Sequence, residues 1–266
     1  MFLEDIAAQV RDDLAARRMK TPVAALKDRP WFARPTRGFA AAVGGKSRRI
    51  IAEVKRASPS QGMIRSDFDP VNIARDFSAN GASALSVLTE EKYFQGSLDY
   101  LAAIKEAVTL PLLRKDFTLD GYHVIEARSF GADAILLIVA LLDLKQVREL
   151  ALQAMELGLD VLVEVHTEKE LETAVEASAR FIGINNRDLK TFEVKLETTE
   201  KLLPLVPAGV TVVCESGFRD SADLERIEAL GAHAFLVGET LMRAPKPGAK
   251  LKEMLGERRK ARGERE

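Results

Sequence analysis

Along most of this chain, short apolar runs alternate with longer stretches in which apolar residues recur every three or four positions. The short runs read as strands. They begin near Ile50, Ala84, Pro111, Ala134, Asp160, Phe181, Thr211 and Ala234, at intervals of 21 to 34 residues. Several helix-to-strand joints are alike: Asn80-Gly81-Ala82-Ser83-Ala84, Phe130-Gly131-Ala132-Asp133-Ala134, Leu157-Gly158-Leu159-Asp160-Val161 and Leu230-Gly231-Ala232-His233-Ala234. Each glycine stands where a helix ends in a left-handed residue, which only glycine adopts without steric cost. The strands are nearly all apolar, as fits a parallel sheet covered on both faces. Eight strand–helix units over about 210 residues predict a (β/α)8 TIM barrel. A doubly wound sheet is the alternative, but it rarely has eight such even units, and no GxGxxG follows the first strand.

The barrel is predicted to occupy residues 49–266, with 1–48 an N-terminal helical extension packing on it, the whole forming a single domain. Leu3 (or Phe2), Ile6, Val10 and Leu14 recur at helical spacing over residues 2–18, with Asp12, Asp13, Arg17 and Arg18 on the other face. Residues 20–48 are a connector broken by Pro22, Pro30, Pro35 and Gly44-Gly45, with Trp31, Phe32 and Phe39 as its anchors. Nothing in this extension has a chemical signature, and it is expected to cap one end of the barrel. The tail from Gly256 to Glu266 has no apolar face and reads as a solvated end.

Composition narrows the function classes. A chain of 266 residues with 30% charged residues and net charge −1 has no global basic field for nucleic acid. One cysteine, Cys214, excludes an intrachain disulfide, and three isolated histidines make no metal signature. The N-terminus carries Glu4 and Asp5 where a secretory signal has basic residues. The longest apolar run, Ala134 to Leu142, is about half a membrane span. The expectation is a cytoplasmic protein without membrane or nucleic-acid partners, and a monomer.

In this fold the chemistry lies at the C-terminal ends of the strands. The first strand leads into Ile50 to Ser60, where Glu53 and Lys55 fall two residues apart and so on one face. Two opposite charges at the end of a buried strand are expensive unless they have partners or a task, and a solvated salt bridge is the structural alternative. The third strand, Pro111 to Phe117, offers Lys115. The fifth, Asp160 to His166, offers Glu164. The sixth, Phe181 to Arg187, offers Asn185 and Arg187, and the seventh, Thr211 to Ser216, offers Glu215. Polar groups on five strand ends would converge on one mouth. The loops after strands seven and eight carry Ser216-Gly217 and Gly238-Glu239, glycines that let backbone N–H groups face a phosphate. Glu239 could contribute there only through its N–H. His166, His123 and His233 read as structural, and Cys214 as an inert thiol facing the covering helices.

Glu53-Val-Lys55-Arg-Ala-Ser58-Pro59-Ser60, Leu88-Thr89 with Phe94-Gln95-Gly96-Ser97, Leu113-Arg-Lys115-Asp116-Phe117, Leu162-Val-Glu164-Val-His166, Gly183-Ile-Asn185-Asn186-Arg187-Asp188-Leu189, Glu215-Ser216-Gly217 and Val237-Gly238-Glu239-Thr240-Leu241-Met242 follow one another in this order. This series resembles the indole-3-glycerol phosphate synthase family over nearly the whole chain; Ala57 and Asn186 fill positions that vary there. The resemblance implies closure of an indole ring on 1-(2-carboxyphenylamino)-1-deoxyribulose 5-phosphate, with loss of carbon dioxide and water, in tryptophan biosynthesis. It implies Lys115 as general acid, in an environment where neighbouring cations lower its pKa. Glu164 and Lys55 are implied as a second acid–base set, with Glu53 coupled to them. Substrate would be bound by Ser58 and Asn185, with Arg187 and Glu215 in the surrounding charge network. Phe94, Phe117, Ile138 and Leu189 would wall the aromatic ring, and Ser216, Gly217, Gly238 and Glu239 would hold the phosphate. The partner implied is a small phosphorylated substrate, with no cofactor and no metal. Two rival readings are a Schiff-base aldolase acting through Lys115 and a non-catalytic phosphate-binding barrel.

Overall fold

Eight parallel strands close on themselves in the computed structural model, which describes residues 2–256: β1 (Arg49–Val54), β2 (Ala84–Leu88), β3 (Leu112–Lys115), β4 (Ala134–Ile138), β5 (Asp160–Val165), β6 (Phe181–Asn185), β7 (Thr211–Glu215) and β8 (Ala234–Val237). Each strand pairs with its sequence neighbours, and β8 returns to β1 with Ala52 opposite Val237. Helices separate the strands, so the molecule is the predicted (β/α)8 barrel.

The pleat sorts the strand residues into two layers. Ile51, Leu113, Leu136, Leu162, Val213 and Leu236 fill the barrel interior. Their neighbours Ile50, Leu112, Ile135, Val163, Ile182, Cys214 and Phe235 face outward, in a cluster shared with the helices. Cys214 thus lies where the alternation predicts, buried, its thiol pushed up to about 12 by burial. The four joint glycines, at 81, 131, 158 and 231, have φ between +74° and +102°.

Several strands stop earlier than the apolar pattern predicts, because side chains near their ends take over the backbone donors. Asp116 Oδ1 accepts the N–H of Phe117 at 2.8 Å just past β3. Asn185 Oδ1 accepts the N–H of Arg187 at 3.0 Å, so Arg187 lies on the loop after β6 and bridges to Val194.

The extension behaves differently from the expected cap over one end. It reaches both. The helix Phe2–Lys20 buries Ile6, Val10 and Leu14, and it touches the loops at the C-terminal ends of β2 and β3. Gln9 accepts from Lys92, Arg18 pairs with Asp120, and Tyr122 Oη donates to the Thr21 carbonyl at 2.9 Å. Arg17, expected to face solvent, pairs with the buried Glu126 at 2.9 Å, a carboxylate also held by Arg114 at the same distance. At the other end Phe39 is fully buried edge-on to Phe181, with ring centres 6.0 Å apart, and Ala40 N–H donates to Asp160 at the start of β5. Trp31 anchors the connector to the barrel helices: its carbonyl accepts from Arg128 at 2.7 Å, and the Lys105 ammonium lies 5.4 Å from its ring centre. Gly256 is exposed; Met1 and residues 257–266 lie outside the described residues. Among the described residues no helix is long and apolar enough to cross a membrane.

Candidate active site at the mouth of the barrel

Inward-facing residues of β1, β3, β5 and β7 end in charged groups one layer above the apolar interior. Lys115 Nζ sits between two carboxylates, 2.7 Å from Glu164 Oε2 and 3.2 Å from Glu215 Oε2. Lys55 Nζ is 2.5 Å from Glu53 Oε1. Glu53, Glu164 and Glu215 are all buried. The structure therefore brings together the four residues the sequence marks for proton transfer, and it adds Glu215, which lies in direct contact with Lys115 rather than in an outer network.

The electrostatics reverse one expectation. Burial alone would lower the Lys115 ammonium, but Glu164, Glu215 and Glu53 together outweigh it and hold the pKa well above the usual lysine range. Cations were expected around Lys115; carboxylates surround it, so it stays protonated. Glu164 is desolvated as well, yet Lys115 and His166 keep it ionised, below the usual carboxylate range. Among the described residues Glu215 pairs with Lys115 alone. Burial pushes it up to about 8, Lys115 opposes this, and Glu164 adds to it. The two carboxyl groups that clasp Lys115 are thus driven in opposite directions, Glu164 down and Glu215 up.

Two glycines make room for these carboxylates. A Cβ at Gly183 would stand 2.3 Å from Glu215 Oε1, and a Cβ at Gly238 would stand 2.3 Å from Glu53 Oε1. Both lie far inside van der Waals contact. Gly183 sits opposite Glu164 in the β5–β6 register, so the small residue falls in the plane of the charged layer.

A cavity of about 650 Å³ opens beside the cluster. Glu53 and Lys55 line it, as do Arg187 and the predicted phosphate-loop residues Ser216, Gly217, Gly238 and Glu239. Ser216 and Gly217 both take positive φ, +65° and +93°, which curls the loop after β7. Thr240 Oγ1 donates to the Phe218 carbonyl at 2.6 Å, tying this loop to the one after β8. Arg187 joins three segments: its guanidinium lies 3.3 Å from Ser60 Oγ, from the Phe192 carbonyl and from Glu239 Oε2. The Glu239 carboxylate is thus occupied by Arg187 and Arg243, and its side chain offers nothing to an anion.

Lys115, Glu164 and Asn185 are not among the residues lining that cavity. Lys115 and Glu164 belong to the charged layer itself, Lys115 clasped by its two carboxylates, and Asn185 ends β6. The four predicted wall residues belong to a single apolar cluster with the barrel interior, in which the Phe94 and Phe117 rings stand 6.1 Å apart. Ile6 and Val10 of the N-terminal helix join the same cluster, so the segment without a chemical signature helps build the mouth. Ser58 lies in a short hairpin, Ala57–Ser58 against Gly62–Met63, with its Oγ buried and unpartnered. Asn186, a position treated as variable, fastens the phosphate loop. Its Nδ2 donates to the Ser216 carbonyl at 3.1 Å, while its Oδ1 accepts from Thr199. His166, read as structural, lies 3.3 Å from Glu164 Oε1. His123 is buried beside Arg17 and Glu126, away from the mouth.

Residues 3–254 match the family model described as Indole-3-glycerol phosphate synthase. A protein of that name from Dehalococcoides mccartyi (strain CBDB1) is 52% identical over 262 residues, covering 96% of this chain and 100% of the relative. One from Burkholderia vietnamiensis is 49% identical over 257 residues, covering 95% and 98%. The chain belongs to the indole-3-glycerol phosphate synthase family. The match takes in the N-terminal helix together with the barrel, so in this synthase family the extension is part of the shared unit. Solved structures extend the likeness at the level of fold alone. A 3-hexulose-6-phosphate synthase from Salmonella typhimurium superposes with a TM-score of 0.63 at 14% identity, over 78% of this chain and 96% of that one. An N-acetylmannosamine-6-phosphate 2-epimerase from Clostridium perfringens gives 0.60 at 16% identity, over 78% and 92%.

Proposed function

We propose that the charged layer at the barrel mouth carries out both stages of the family's reaction, with Lys115 serving the first and Glu164 with Lys55 the second. The activity is that of a carboxy-lyase, forming indole-3-glycerol phosphate in tryptophan biosynthesis. The observation that carries the residue assignment is the position of Lys115 between Glu164 and Glu215, with Lys55 held separately by Glu53.

In the first stage the ring carbon bearing the carboxylate attacks the ketone carbon of 1-(2-carboxyphenylamino)-1-deoxyribulose 5-phosphate. The ketone oxygen takes a proton as the new bond forms, and Lys115, kept protonated by its carboxylates, supplies it. Carbon dioxide then leaves and its bonding electrons restore the aromatic ring. Once Lys115 has given up its proton, Glu164 has lost the nearer of its two cations and keeps only His166, so its basicity rises as the second stage begins.

In that stage the new hydroxyl departs as water while the neighbouring carbon loses a proton. Glu164 takes that proton and Lys55 delivers one to the hydroxyl. Glu164 then returns its proton to Lys115 across the 2.7 Å contact, and Lys55, on the cavity wall, is reprotonated from solvent. Two protons are given and one is taken back. This net uptake of one matches the conversion of a carboxylate to neutral carbon dioxide.

Arg187 and the loops after β7 and β8 would hold the phosphate end, with backbone N–H groups of Ser216, Gly217, Gly238 and Glu239 as donors. Asn185, whose carbonyl is committed to Arg187 N–H, would offer its NH2 to the substrate, and Ser58 its unpartnered hydroxyl. Phe94, Phe117, Ile138 and Leu189 would enclose the aromatic ring. The reaction runs at one site in one chain, which fits a monomer in the cytoplasm.

The test is turnover of the purified protein with this substrate, followed by indole fluorescence. Growth of the signal, with no adduct on Lys115 after borohydride treatment, is expected. A silent assay, or a trapped Lys115 adduct with a keto-sugar phosphate, would overturn the reading in favour of a binding barrel or an aldolase.

A further inference from the structure

His166 follows β5 directly and is largely buried, its side chain 10% exposed, yet none of the proton transfers uses it. Both of its ring nitrogens face carboxylates. Nδ1 is hydrogen-bonded to Glu170 Oε2 at 3.1 Å, and Nε2 lies 3.3 Å from Glu164 Oε1, the oxygen turned away from Lys115, in a charge contact outside hydrogen-bonding geometry. Glu170 is itself fixed: the same oxygen accepts the His166 backbone N–H at 2.8 Å, and Thr167 caps the helix Glu168–Glu176 by accepting Glu170 N–H. A neutral imidazole carries a lone pair on one nitrogen and would set it against a carboxylate oxygen, so a carboxylate within 3.3 Å of each nitrogen favours the doubly protonated ring.

We infer that His166, as an imidazolium locked by Glu170, is the positioning residue for Glu164, holding the carboxylate from the side opposite Lys115 so that the oxygen nearest Lys115 stays aimed at the substrate. This rests on the assignment of Glu164 as the base of the second stage. The groups facing the ring are Glu164 on its own segment, Glu170 on the following helix and Asp188 on the loop after β6, which interacts with it electrostatically. All are acidic, and burial, which opposes the charge, is outweighed; the imidazole is raised to about 9.

The experiment compares kcat, KM and pH profiles of His166→Leu, His166→Gln and Glu170→Gln with the intact enzyme. His166→Leu should lower kcat by about tenfold to a hundredfold, the size typical for removing a partner that orients a functional side chain, with KM within about threefold. His166→Gln, which keeps a donor near the Nε2 position, should recover most of the loss. Glu170→Gln removes one of the groups raising the imidazole, so the alkaline limb of kcat should move to lower pH. Unchanged kcat in His166→Leu, or equal losses in the Leu and Gln variants, would overturn the inference. If His166→Leu does not fold, Glu170→Gln decides: a profile superimposable on that of the intact enzyme rejects the role. Glu164→Gln separates the two levels of the argument. Full activity in that variant defeats the assignment of Glu164 itself. A crippled Glu164→Gln beside a fully active His166→Leu defeats only the inference. In the Glu164→Gln background, His166→Leu should cost nothing further, and a full additional loss would show that His166 acts elsewhere.

Discussion

Gly183→Ala is a one-carbon change that tests whether the charged layer is as tightly assembled as its geometry implies. The new Cβ would stand 2.3 Å from Glu215 Oε1 and 3.4 Å from its carboxyl carbon, so the carboxylate must retreat by roughly 1 Å to reach ordinary contact, as overpacked cores require. Glu215 is 1% exposed, and its other oxygen contacts Lys115 at 3.2 Å. Overpacking of this kind costs about 1–3 kcal/mol. Against that, alanine on an extended backbone reduces the freedom of the unfolded chain, contributing about 0.4–1 kcal/mol of stability. The clash wins, leaving a net loss of about 1–2 kcal/mol. Activity should fall by at least about tenfold, since about 1.4 kcal/mol of lost transition-state stabilisation already produces that. The control is Glu215→Asp, which draws the carboxylate back by one methylene. Combined with Gly183→Ala it should be less damaging than the sum of the two, with a coupling of about 1 kcal/mol or more. Urea unfolding and steady-state turnover measure both quantities. A Gly183→Ala protein with native stability and kcat, or strictly additive effects in the double variant, would refute the close packing of Gly183 against Glu215.

Two further outcomes follow from the same layer. His166 has a folded pKa of about 9, above its value in an unfolded chain, so it contributes stability that is fully present below about pH 6.5 and is lost as pH rises through 9. The stability difference between the intact protein and His166→Gln should therefore shrink by about 2–3 kcal/mol between pH 6 and pH 10; a pH-independent difference would contradict this. Arg187→Lys replaces a fork that joins Ser60, Phe192 and Glu239 with a single ammonium. KM should rise by about tenfold with a smaller change in kcat, read from initial rates across substrate concentration, and an unchanged KM would remove Arg187 from the substrate site.

What the linear pattern carries, and what it does not, follows from the range of each interaction. Strand positions and joint glycines are local: alternation with period two and a left-handed helix end each need only a few residues, and Gly81 and Gly131 take the expected φ. Glu53, Lys115 and Glu164 stand out because a charge at the end of an apolar strand is conspicuous in any register. Their partnerships are not local. Lys115 and Glu215 are 100 residues apart in sequence and meet only because β3 and β7 face each other across the closed barrel. The sign of the Lys115 shift depends on that encounter, which explains why cations were expected where carboxylates stand. The stripe of Ile6 and Val10 shows that a helix has a buried face but not which surface receives it. Gly183 looks like any small strand residue until the side chain opposite it is known. His166 reads as a lone histidine because Glu170, four residues on, returns to it only through the turn into the next helix.

The central claim is that two proton-transfer sets share one mouth: Lys115 for ring closure, and Glu164 with Lys55 for dehydration. A single-turnover experiment with substrate labelled in its carboxylate tests it directly, following carbon dioxide release and indole fluorescence in the same reaction. In Lys115→Met both signals should fall together by about 10²- to 10⁴-fold, the span expected for a positioned acid. In Glu164→Gln carbon dioxide should still be released, while indole formation lags and a condensed, still hydrated intermediate accumulates. If Glu164→Gln slows both signals equally and no intermediate appears, the division of labour is wrong.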